Sequence, residues 1–423
     1  MRILHFATHD TAGGAAKASY RLHSALREAG HSSRMIVRVK DSDDADVLQV
    51  TTRPLLSGYR RVRRRIAASR GRLPQSKFNF DVRPEIDTRQ LFSHERGTID
   101  VICLHWITEL LTTSLINQLY EHYRCPLVWT LVDQEAVTGG CHYSLGCDGF
   151  TKMCGHCPQL NSSRERDRSR LVWNRKSKYL KSLPIVFVAP TSWVSRKVRE
   201  SSLFSQHRIE SIPLPIDASL FRPFEQRVAR DLLHVPADKK VIFFGATYLE
   251  EARKGMAYLV EALQQLRALT DDTGDGLRAD DIFLLVAGSN GQKILDMLPF
   301  AGRATGQLQD ELLLALAYQS ADVFVCPSVE DAGPMMIPEA MMCGTPVVAF
   351  NAGGAPDLVE TMKTGYLAND RDSGDFANGM RALLSLDCLS EMRLAARTAA
   401  ARAHTPALVA ERYTRLYSSL RES

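Results

Sequence analysis

Short apolar runs separated by longer amphipathic stretches are the feature that most restricts how this chain can fold. Eight runs are apolar on both faces and bounded by Gly, Pro or polar residues, which is typical of strands buried in a parallel sheet. They are Ile3–Phe6, Val101–Leu104, Leu127–Leu131, Ile185–Ala189, Val241–Phe244, Ile282–Ala287, Val323–Cys326 and Pro346–Phe350. Helical patterns lie between them, at Ala15–Ala29, Thr112–His122, Met256–Leu269 and Glu311–Gln319. This alternation predicts two doubly wound, Rossmann-like α/β domains.

A proline-punctuated segment separates the first four strands from the last four. Residues Ile212–Asp217 and Phe221–Pro223 together hold three prolines, which interrupt helices and central strands. Thr405-Pro406 then supplies an N-cap residue and a proline at the first helical position. The predicted parts are an N-terminal domain at 1–210, a linker at 211–225, a C-terminal domain at 226–404 and a final helix within 405–423 that packs back on the first domain.

Composition narrows the class of protein. Of the 423 residues, 45% are hydrophobic and 24% are charged, which is ordinary for a globular protein and excludes a disordered chain, a collagen and a coiled coil. No run approaches the roughly 18 apolar residues of a membrane span. The N-terminus lacks the apolar stretch of a signal peptide, so we expect a cytoplasmic protein whose nine cysteines stay reduced or hold metal.

Two loops have the composition of anion sites. Gly13-Gly14 follows the first strand and opens a helix, where backbone N–H groups can approach a phosphate. Arg253-Lys254 precedes the helix after Val241–Phe244, and two cations at a helix start suit a diphosphate. Alone, a tight turn and a solvated basic pair explain these features equally well.

An acidic segment follows the strand Val323–Cys326. Asp331 lies in the loop, and Glu339 falls in the first turn of the next helix, near the carboxyl ends of the strands. Ligands of open parallel sheets bind at that edge. A carboxylate there can accept hydrogen bonds from two neighbouring sugar hydroxyls, or simply interact with the helix dipole.

Together these motifs resemble the retaining, two-domain glycosyltransferases of family 4, which have the GT-B fold and include enzymes of bacterial surface polysaccharide biosynthesis. The resemblance also includes Leu104–Ile107, Trp129–Leu131, the proline-rich linker, Gly306 with Asp310, and Ala321–Val325. It extends over nearly the whole chain.

The resemblance implies a role for each matching residue of the donor site. Lys254, with Arg253 beside it, matches the lysine that binds the donor diphosphate, and Glu339 matches the acid that holds the nucleotide ribose. Asp331, eight positions earlier, takes the place near the transferred sugar. The turn Gly13-Gly14 would face the donor phosphates. The 226–404 domain would thus bind the donor, the 1–210 domain the acceptor, and the active site would lie between them.

The chain departs from the family pattern at the strand end Thr130–Asp133. Many members have a histidine where this chain has Val132, so Asp133 is the titratable group left there. The resemblance implies Asp133, Asp331 and Glu339 as catalytic residues and places His105 on the acceptor side. It implies a front-face displacement in which cations and helix N-termini stabilise the leaving diphosphate, so no cofactor is required for the chemistry.

Residues 139–158 form a glycine-rich segment that we call the cysteine loop. It holds four of the nine cysteines, Cys141, Cys147, Cys154 and Cys157. Four soft ligands on a compact loop predict a structural zinc site. Redox-active disulfides or free thiols are the alternatives.

An arginine-rich segment follows Pro54 and contains no acidic residue. Its apolar residues recur at helical spacing, which predicts a basic amphipathic helix for an anionic membrane surface or, alternatively, a solvated helix. The arginines are Arg60, Arg61, Arg63, Arg64, Arg65, Arg70 and Arg72.

These observations predict a retaining hexosyltransferase that moves a sugar from a nucleotide-sugar donor to a glycan or lipid-linked acceptor, peripheral to the inner membrane face. A GT-B phosphorylase or a sugar-nucleotide epimerase would share the fold. A zinc-containing nucleic-acid-binding protein is the alternative from another class, but it leaves the donor-site motifs unexplained, so we expect no nucleic-acid partner.

Overall fold

Two parallel β-sheets, one in each half of the chain, contain the eight predicted strands. A computed structural model describes residues 1–51, 77–82, 84, 86–94, 97–272, 277–386 and 388–422. One unit consists of Met1–Leu214 with Val409–Ser423, and the other of Pro215–Leu408. The doubly wound α/β fold class predicted from the sequence is confirmed.

The sheet of the first unit has seven strands in the order β3-β2-β1-β4-β5-β6-β7, all paired in parallel. The central strands are apolar because helices cover both faces; every residue of β4 and β5 is buried. The strands are β1 Arg2–His9, β2 Ser32–Val39, β3 Val47–Gln49, β4 Val101–Leu104, β5 Leu127–Thr130, β6 Ile185–Ala189 and β7 Ile209–Ser211.

The sheet of the second unit has six parallel strands in the order β10-β9-β8-β11-β12-β13. The neighbours β8 and β11 matter for the site, because the loops after two adjacent parallel strands leave the sheet side by side. The strands are β8 Lys240–Tyr248, β9 Ile282–Ser289, β10 Ala301–Gly306, β11 Val323–Cys326, β12 Val347–Phe350 and β13 Gly365–Ala368.

Most helices connect consecutive strands, and several begin at residues whose side chains cap the first turn. The side chains of Thr112, Thr191 and Asp310 each accept a hydrogen bond from a backbone N–H in the first turn. The helices are α1 Gly14–Glu28, α2 Thr113–Tyr123, α3 Arg168–Tyr179, α4 Ser192–Glu200, α5 Gln226–Leu232, α6 Met256–Asp272, α7 Gly291–Leu295, α8 Glu311–Ser320, α9 Met336–Met342, α10 Ser373–Leu384, α11 Ser390–His404 and α12 Pro406–Arg421.

The final helix, α12, packs in the first unit although it follows the second in sequence. Its tyrosines Tyr413 and Tyr417 are buried beside the central strands. The Tyr413 hydroxyl lies 2.8 Å from Thr130 Oγ1, and the Tyr417 hydroxyl lies 2.9 Å from Cys103 Sγ. These contacts satisfy two buried hydroxyls in a core that is otherwise apolar.

Two predictions from the sequence concern membranes: the arginine-rich segment and the absence of a membrane span. The arginine-rich segment, residues 60–72, lies outside the described residues. Within the described part of the chain, no helix is both long and apolar enough to cross a membrane.

Candidate functional site

In the second unit, the loop after β8 meets the loop after β11. A short 3₁₀ turn, Ala252–Lys254, ends at Gly255, whose φ is +72°. The Val329 N–H donates to the Arg253 carbonyl over 2.9 Å. A Cβ added to Gly255 would lie 1.8 Å from the carbonyl oxygen of Pro327. Only glycine permits both this backbone conformation and this approach, so the two loops are held in contact.

Asp331 is where the predicted donor-site cations converge. Its Oδ2 accepts a 2.6 Å hydrogen bond from Lys254 Nζ and a 3.2 Å hydrogen bond from Arg253 Nη1. Burial, the largest single influence, would raise the pKa of Asp331, but these two cations together hold it below its ordinary value. Asp331 is therefore an ionised carboxylate that fixes the position of two cations.

The two cations are engaged to different degrees. The guanidinium of Arg253 forms a bidentate pair with Glu251, at 2.9 and 3.1 Å, in addition to its contact with Asp331. The ammonium of Lys254 has three N–H donors, and its side chain is 23% exposed. The geometry thus makes Lys254 the cation with donor capacity for an incoming anion, and Arg253 a more constrained neighbour.

Glu339 lies in α9, the helix that follows the loop of Asp331. Its side chain is 4% exposed, and its Oε2 accepts a 3.3 Å hydrogen bond from the hydroxyl of Tyr318 in α8. Burial, together with the carboxylate of Glu339, raises the pKa of Tyr318 well above its ordinary value, so the hydroxyl remains a donor. Tyr318 was not predicted from the sequence, because the apolar pattern of α8 indicates a buried helix but not which of its side chains reaches Glu339.

In the first unit, Gly13 and Gly14 form the turn that opens α1, as predicted. Gly13 has φ of +89°, and a Cβ added there would meet no atom within 4 Å. Nearby, the buried carboxylate of Asp10 accepts hydrogen bonds from the N–H groups of Thr11, Asp41 and Ser42. These bonds fix the segment before the turn, and Gly13 itself is exposed.

Asp133 lies immediately beyond β5, and the structure pairs it with an imidazole. Its Oδ2 is 2.6 Å from Nδ1 of His142, and its Oδ1 accepts a 2.8 Å hydrogen bond from the Glu135 N–H. Burial, the largest influence, would raise the pKa of Asp133, but the His142 imidazole and the Glu135 N–H lower it overall. The sequence analysis missed His142, which lies next to Cys141 in the cysteine loop.

A small pocket adjoins this pair. Its walls include Trp106 and Thr108 from the loop after β4, together with Asp133 and Glu135 from the loop after β5. An aromatic ring beside carboxylates suits a polyhydroxylated ligand, because sugar hydroxyls donate to carboxylates while apolar sugar faces pack on rings.

A buried ion pair supports the floor of this region. Lys176 of α3 is 1% exposed, and its Nζ lies 2.8 Å from Glu135 Oε1. The ammonium also donates to the carbonyl oxygens of Glu135 and Thr138, so all three of its N–H groups have partners. Such a fully satisfied buried cation ties α3 to the loop after β5, and removing one partner would leave a buried charge uncompensated.

His105, predicted on the acceptor side, belongs to a group of three buried imidazoles that we call the histidine cluster: His5, His23 and His105. Nε2 of His105 lies 2.9 Å from Nδ1 of His5, and the two rings are stacked. Nδ1 of His23 lies 2.7 Å from Ser33 Oγ. His105 also lines the pocket beside Trp106 and Asp133.

The predicted zinc site is not found. Cys141, Cys147, Cys154 and Cys157 line one largely apolar pocket of about 340 Å³, but no group of three or more His, Cys, Asp or Glu side chains among the described residues is arranged to hold a metal ion. Burial raises the pKa of Cys154 to about 12 and raises that of Cys141 as well. All nine cysteines are free.

Comparison with known proteins places a family match on the second unit. Residues 238–386 match the family described as "Glycosyl transferases group 1". The D-inositol 3-phosphate glycosyltransferases of Mycobacterium tuberculosis and Mycobacterium bovis are 30% identical over 202 residues, which is 47% of this chain and 40% of those proteins. The chain thus aligns with about two fifths of the length of these curated relatives.

Solved structures match over nearly the whole chain. Sucrose-phosphate synthase from Thermosynechococcus elongatus has a TM-score of 0.67 and 20% identity, covering 99% of both chains. WaaG, a glycosyltransferase involved in lipopolysaccharide biosynthesis, has a TM-score of 0.65 and 14% identity, covering 98% of this chain and 99% of its own. Anabaena Alr3699/HepE in complex with UDP and glucose has a TM-score of 0.63 and 16% identity, covering 99% and 100%. These likenesses show the GT-B fold, and the group 1 match contains Arg253, Lys254, Asp331 and Glu339.

Proposed function

We propose that this protein is a retaining glycosyltransferase of the family-4 type, which transfers a hexose from a nucleotide-sugar donor to a hydroxyl of a glycan or lipid-linked acceptor. The observation that carries the proposal is the convergence of Lys254 and Arg253 on Asp331, within the residues that match the group 1 family. The curated relatives are named as glycosyltransferases, and one structural neighbour holds UDP and glucose, which makes UDP-sugars the first donors to test.

Lys254 would bind the donor diphosphate. Asp331 takes one of its three N–H groups, so two remain for phosphate oxygens without breaking the contact. The cation would then stabilise negative charge that develops on the diphosphate as the glycosidic bond breaks. Asp331 both orients this cation and presents a carboxylate for hydroxyls of the transferred sugar.

Glu339 would hold the ribose. Its Oε2 accepts a hydrogen bond from Tyr318, and a carboxylate can accept hydrogen bonds from two neighbouring ribose hydroxyls. A charged hydrogen bond of this kind contributes about 1.5–3 kcal/mol to binding, so Glu339→Ala should weaken donor binding roughly 10- to 150-fold.

The first unit would receive the acceptor. The pocket of Trp106, Thr108 and Asp133 has the chemistry for a sugar hydroxyl, and His105 lies in its wall. In a front-face displacement the leaving diphosphate can itself take the acceptor proton, so no separate general base is assigned. Association of residues 60–72 with an anionic membrane remains a prediction from the sequence.

Donor binding tests the proposal directly. Calorimetry should show that Lys254→Ala weakens the binding of UDP-sugar or UDP much more than that of uridine, because the lysine contacts the diphosphate. Lys363→Ala is the matched control, since Lys363 belongs to the same unit, is 63% exposed and pairs only locally with Glu360. Equal losses for uridine and UDP in Lys254→Ala would overturn the assignment of the diphosphate site.

The reaction is then identified from its products. Incubation with a panel of nucleotide sugars and glycan acceptors should release nucleoside diphosphate and yield a glycoside with the anomeric configuration of the donor, as read by NMR. Release of a sugar 1-phosphate in phosphate buffer would indicate a phosphorylase, and conversion of the donor to another nucleotide sugar would indicate an epimerase.

A further inference from the structure

The cysteine loop places an imidazole at the strand end where the family pattern would have one. This chain has Val132 at the position of the family histidine, directly before Asp133. His142, ten positions after Val132, nevertheless lies with its Nδ1 2.6 Å from the Asp133 carboxylate. The histidine is 3% exposed and the aspartate 9% exposed, so water competes little with their contact.

The backbone around His142 is held on both sides. Its N–H donates to the Lys77 carbonyl over 3.2 Å, and its carbonyl accepts from the Gln134 N–H over 2.9 Å. The next contact along the loop is a 2.6 Å hydrogen bond from the Ser144 N–H to the Gln134 side chain. The loop after β5 and the cysteine loop are therefore joined at His142, which limits the positions that its ring can adopt.

The two ring nitrogens have different partners. Nδ1 lies 2.6 Å from the ionised carboxylate of Asp133, which can only accept, and 3.1 Å from the indole N–H of Trp106, which can only donate. The shorter, charge-assisted contact places the proton on Nδ1, where it is donated to Asp133, so in this tautomer the Trp106 N–H forms no hydrogen bond with that nitrogen. Nε2 lies 3.3 Å from the hydroxyl of Thr108. The indole of Trp106 packs against the same ring, with centroids 5.3 Å apart. The imidazole is thus fixed in one orientation by the residues that line the pocket.

We propose that His142 is a positioning residue for the transfer reaction: by donating from Nδ1 to Oδ2, it holds the Asp133 carboxylate in the orientation that faces the pocket. This inference rests on the proposed function. The Glu135 N–H holds Oδ1, so His142 supplies the second anchor of the carboxylate. A carboxylate with a single anchor can rotate out of its productive orientation, and misplacement of about 1 Å costs about 100-fold in rate.

Substitution by two amides separates the role of Nδ1 from the bulk of the ring. His142→Asn places an N–H near the position of Nδ1, whereas His142→Gln places one near Nε2. We expect His142→Gln to lower kcat about 100-fold with donor KM changed less than about threefold, because Lys254 and Glu339, which are proposed to bind the nucleotide, lie in the other unit and His142 does not contact the Gly13-Gly14 turn in the described residues. We expect His142→Asn to recover most of kcat, to within about tenfold of the wild type.

A double variant tests whether the effect passes through Asp133. If it does, His142→Gln should add no more than a further twofold loss to Asp133→Asn. His156→Asn is the control, because His156 lies exposed in the same loop with φ of +47°, which asparagine tolerates, and contacts the Ser163 carbonyl. Tryptophan fluorescence, measured for each variant in the absence and presence of urea, establishes that the first unit is folded before kcat is compared.

The outcomes are distinct. Three results would each overturn the positioning role: a wild-type kcat in His142→Gln, equal losses of kcat in the Asn and Gln variants, or independent losses in the double variant. In each case, sugar transfer by the wild type would still support the proposed function. Failure of the wild type to bind UDP and to transfer sugar from any donor would overturn the proposed function, and the role of His142 with it.

Discussion

Acidification should destabilise the first unit through its histidine cluster. Burial, the largest influence in each case, lowers the pKa of His105 to about 3 and that of His23 to about 4, and lowers that of His5 well below its ordinary value. These imidazoles remain neutral in the folded protein but take up protons in the unfolded chain below pH 6.5. The stability they allow is therefore fully present above pH 6.5 and is lost as the pH falls through their lowered pKa values.

The magnitude follows from proton linkage. Between pH 7.5 and 5.0, an imidazole with an unfolded pKa of 6.5 and a folded pKa of 4 or lower reduces the free energy of unfolding by about 2 kcal/mol. His23 and His105 together give about 4 kcal/mol, and His5 adds to this. Because carboxyl groups have an unfolded pKa near 3.8, those with lowered folded values contribute little at pH 5.0, so the histidine effect can be read separately.

The positions of the tryptophans allow unfolding of the first unit to be measured separately. All four tryptophans, Trp106, Trp129, Trp173 and Trp193, lie in the first unit, so their fluorescence during urea unfolding reports on that unit alone. His23→Asn keeps a donor near Ser33 but removes the titrating group. The difference in unfolding free energy between pH 7.5 and 5.0 should shrink by about 2 kcal/mol in this variant, whatever its stability at pH 7.5.

His156→Asn, in the same unit, is the control and should keep the pH dependence of the wild type. If His23→Asn and the wild type lost the same stability between the two pH values, to within about 0.5 kcal/mol, His23 would not have a lowered pKa in the folded protein, since that shift is worth about 2 kcal/mol.

Three further predictions concern single residues. Gly255→Ala should destabilise the second unit by at least about 1–3 kcal/mol from backbone strain alone and weaken UDP binding, as calorimetry would show, because the new Cβ would overlap the Pro327 carbonyl; unchanged melting would contradict it. Tyr318→Phe should weaken donor binding only modestly, about threefold to tenfold, as one hydrogen bond to Glu339 is lost, whereas abolition of binding would point to a direct contact. In thiol labelling at pH 7.5, Cys388 should react first, since it is exposed and hydrogen bonding to Ser390 lowers its pKa; the fast phase should disappear in Cys388→Ser and otherwise the assignment fails.

The fold could be predicted from the sequence because its inner strands are apolar on both faces. All eight runs identified from the sequence are strands, and they form the interior of the two sheets. Five strands were not predicted. Four of them, β3, β7, β10 and β13, are edge strands, and the fifth, β2, lies beside the edge strand β3. In the edge strand β10 no residue is fully buried, so no continuous apolar run marks it in the sequence.

Local motifs and the family resemblance predict roles for Lys254, Asp331 and Asp133, each of which lies in the loop after a strand. Their partners are decided only by the order of strands in the sheet. Lys254 meets Asp331, 77 residues away, because β8 and β11 are neighbours; Trp106 approaches His142 and Asp133 because β4 and β5 are neighbours.

The cysteine loop shows most clearly the difference between what the sequence predicts and what the tertiary structure decides. Four cysteines at close spacing predict a metal site, because the sequence gives their spacing but not the directions in which their side chains point. In the folded chain these cysteines line the walls of a largely apolar pocket, and the residue beside Cys141, His142, is the one that reaches the Asp133 carboxylate. Which side chain of a loop faces a site depends on how the loop packs against its neighbours, and that packing arises only when distant segments come together in the tertiary structure.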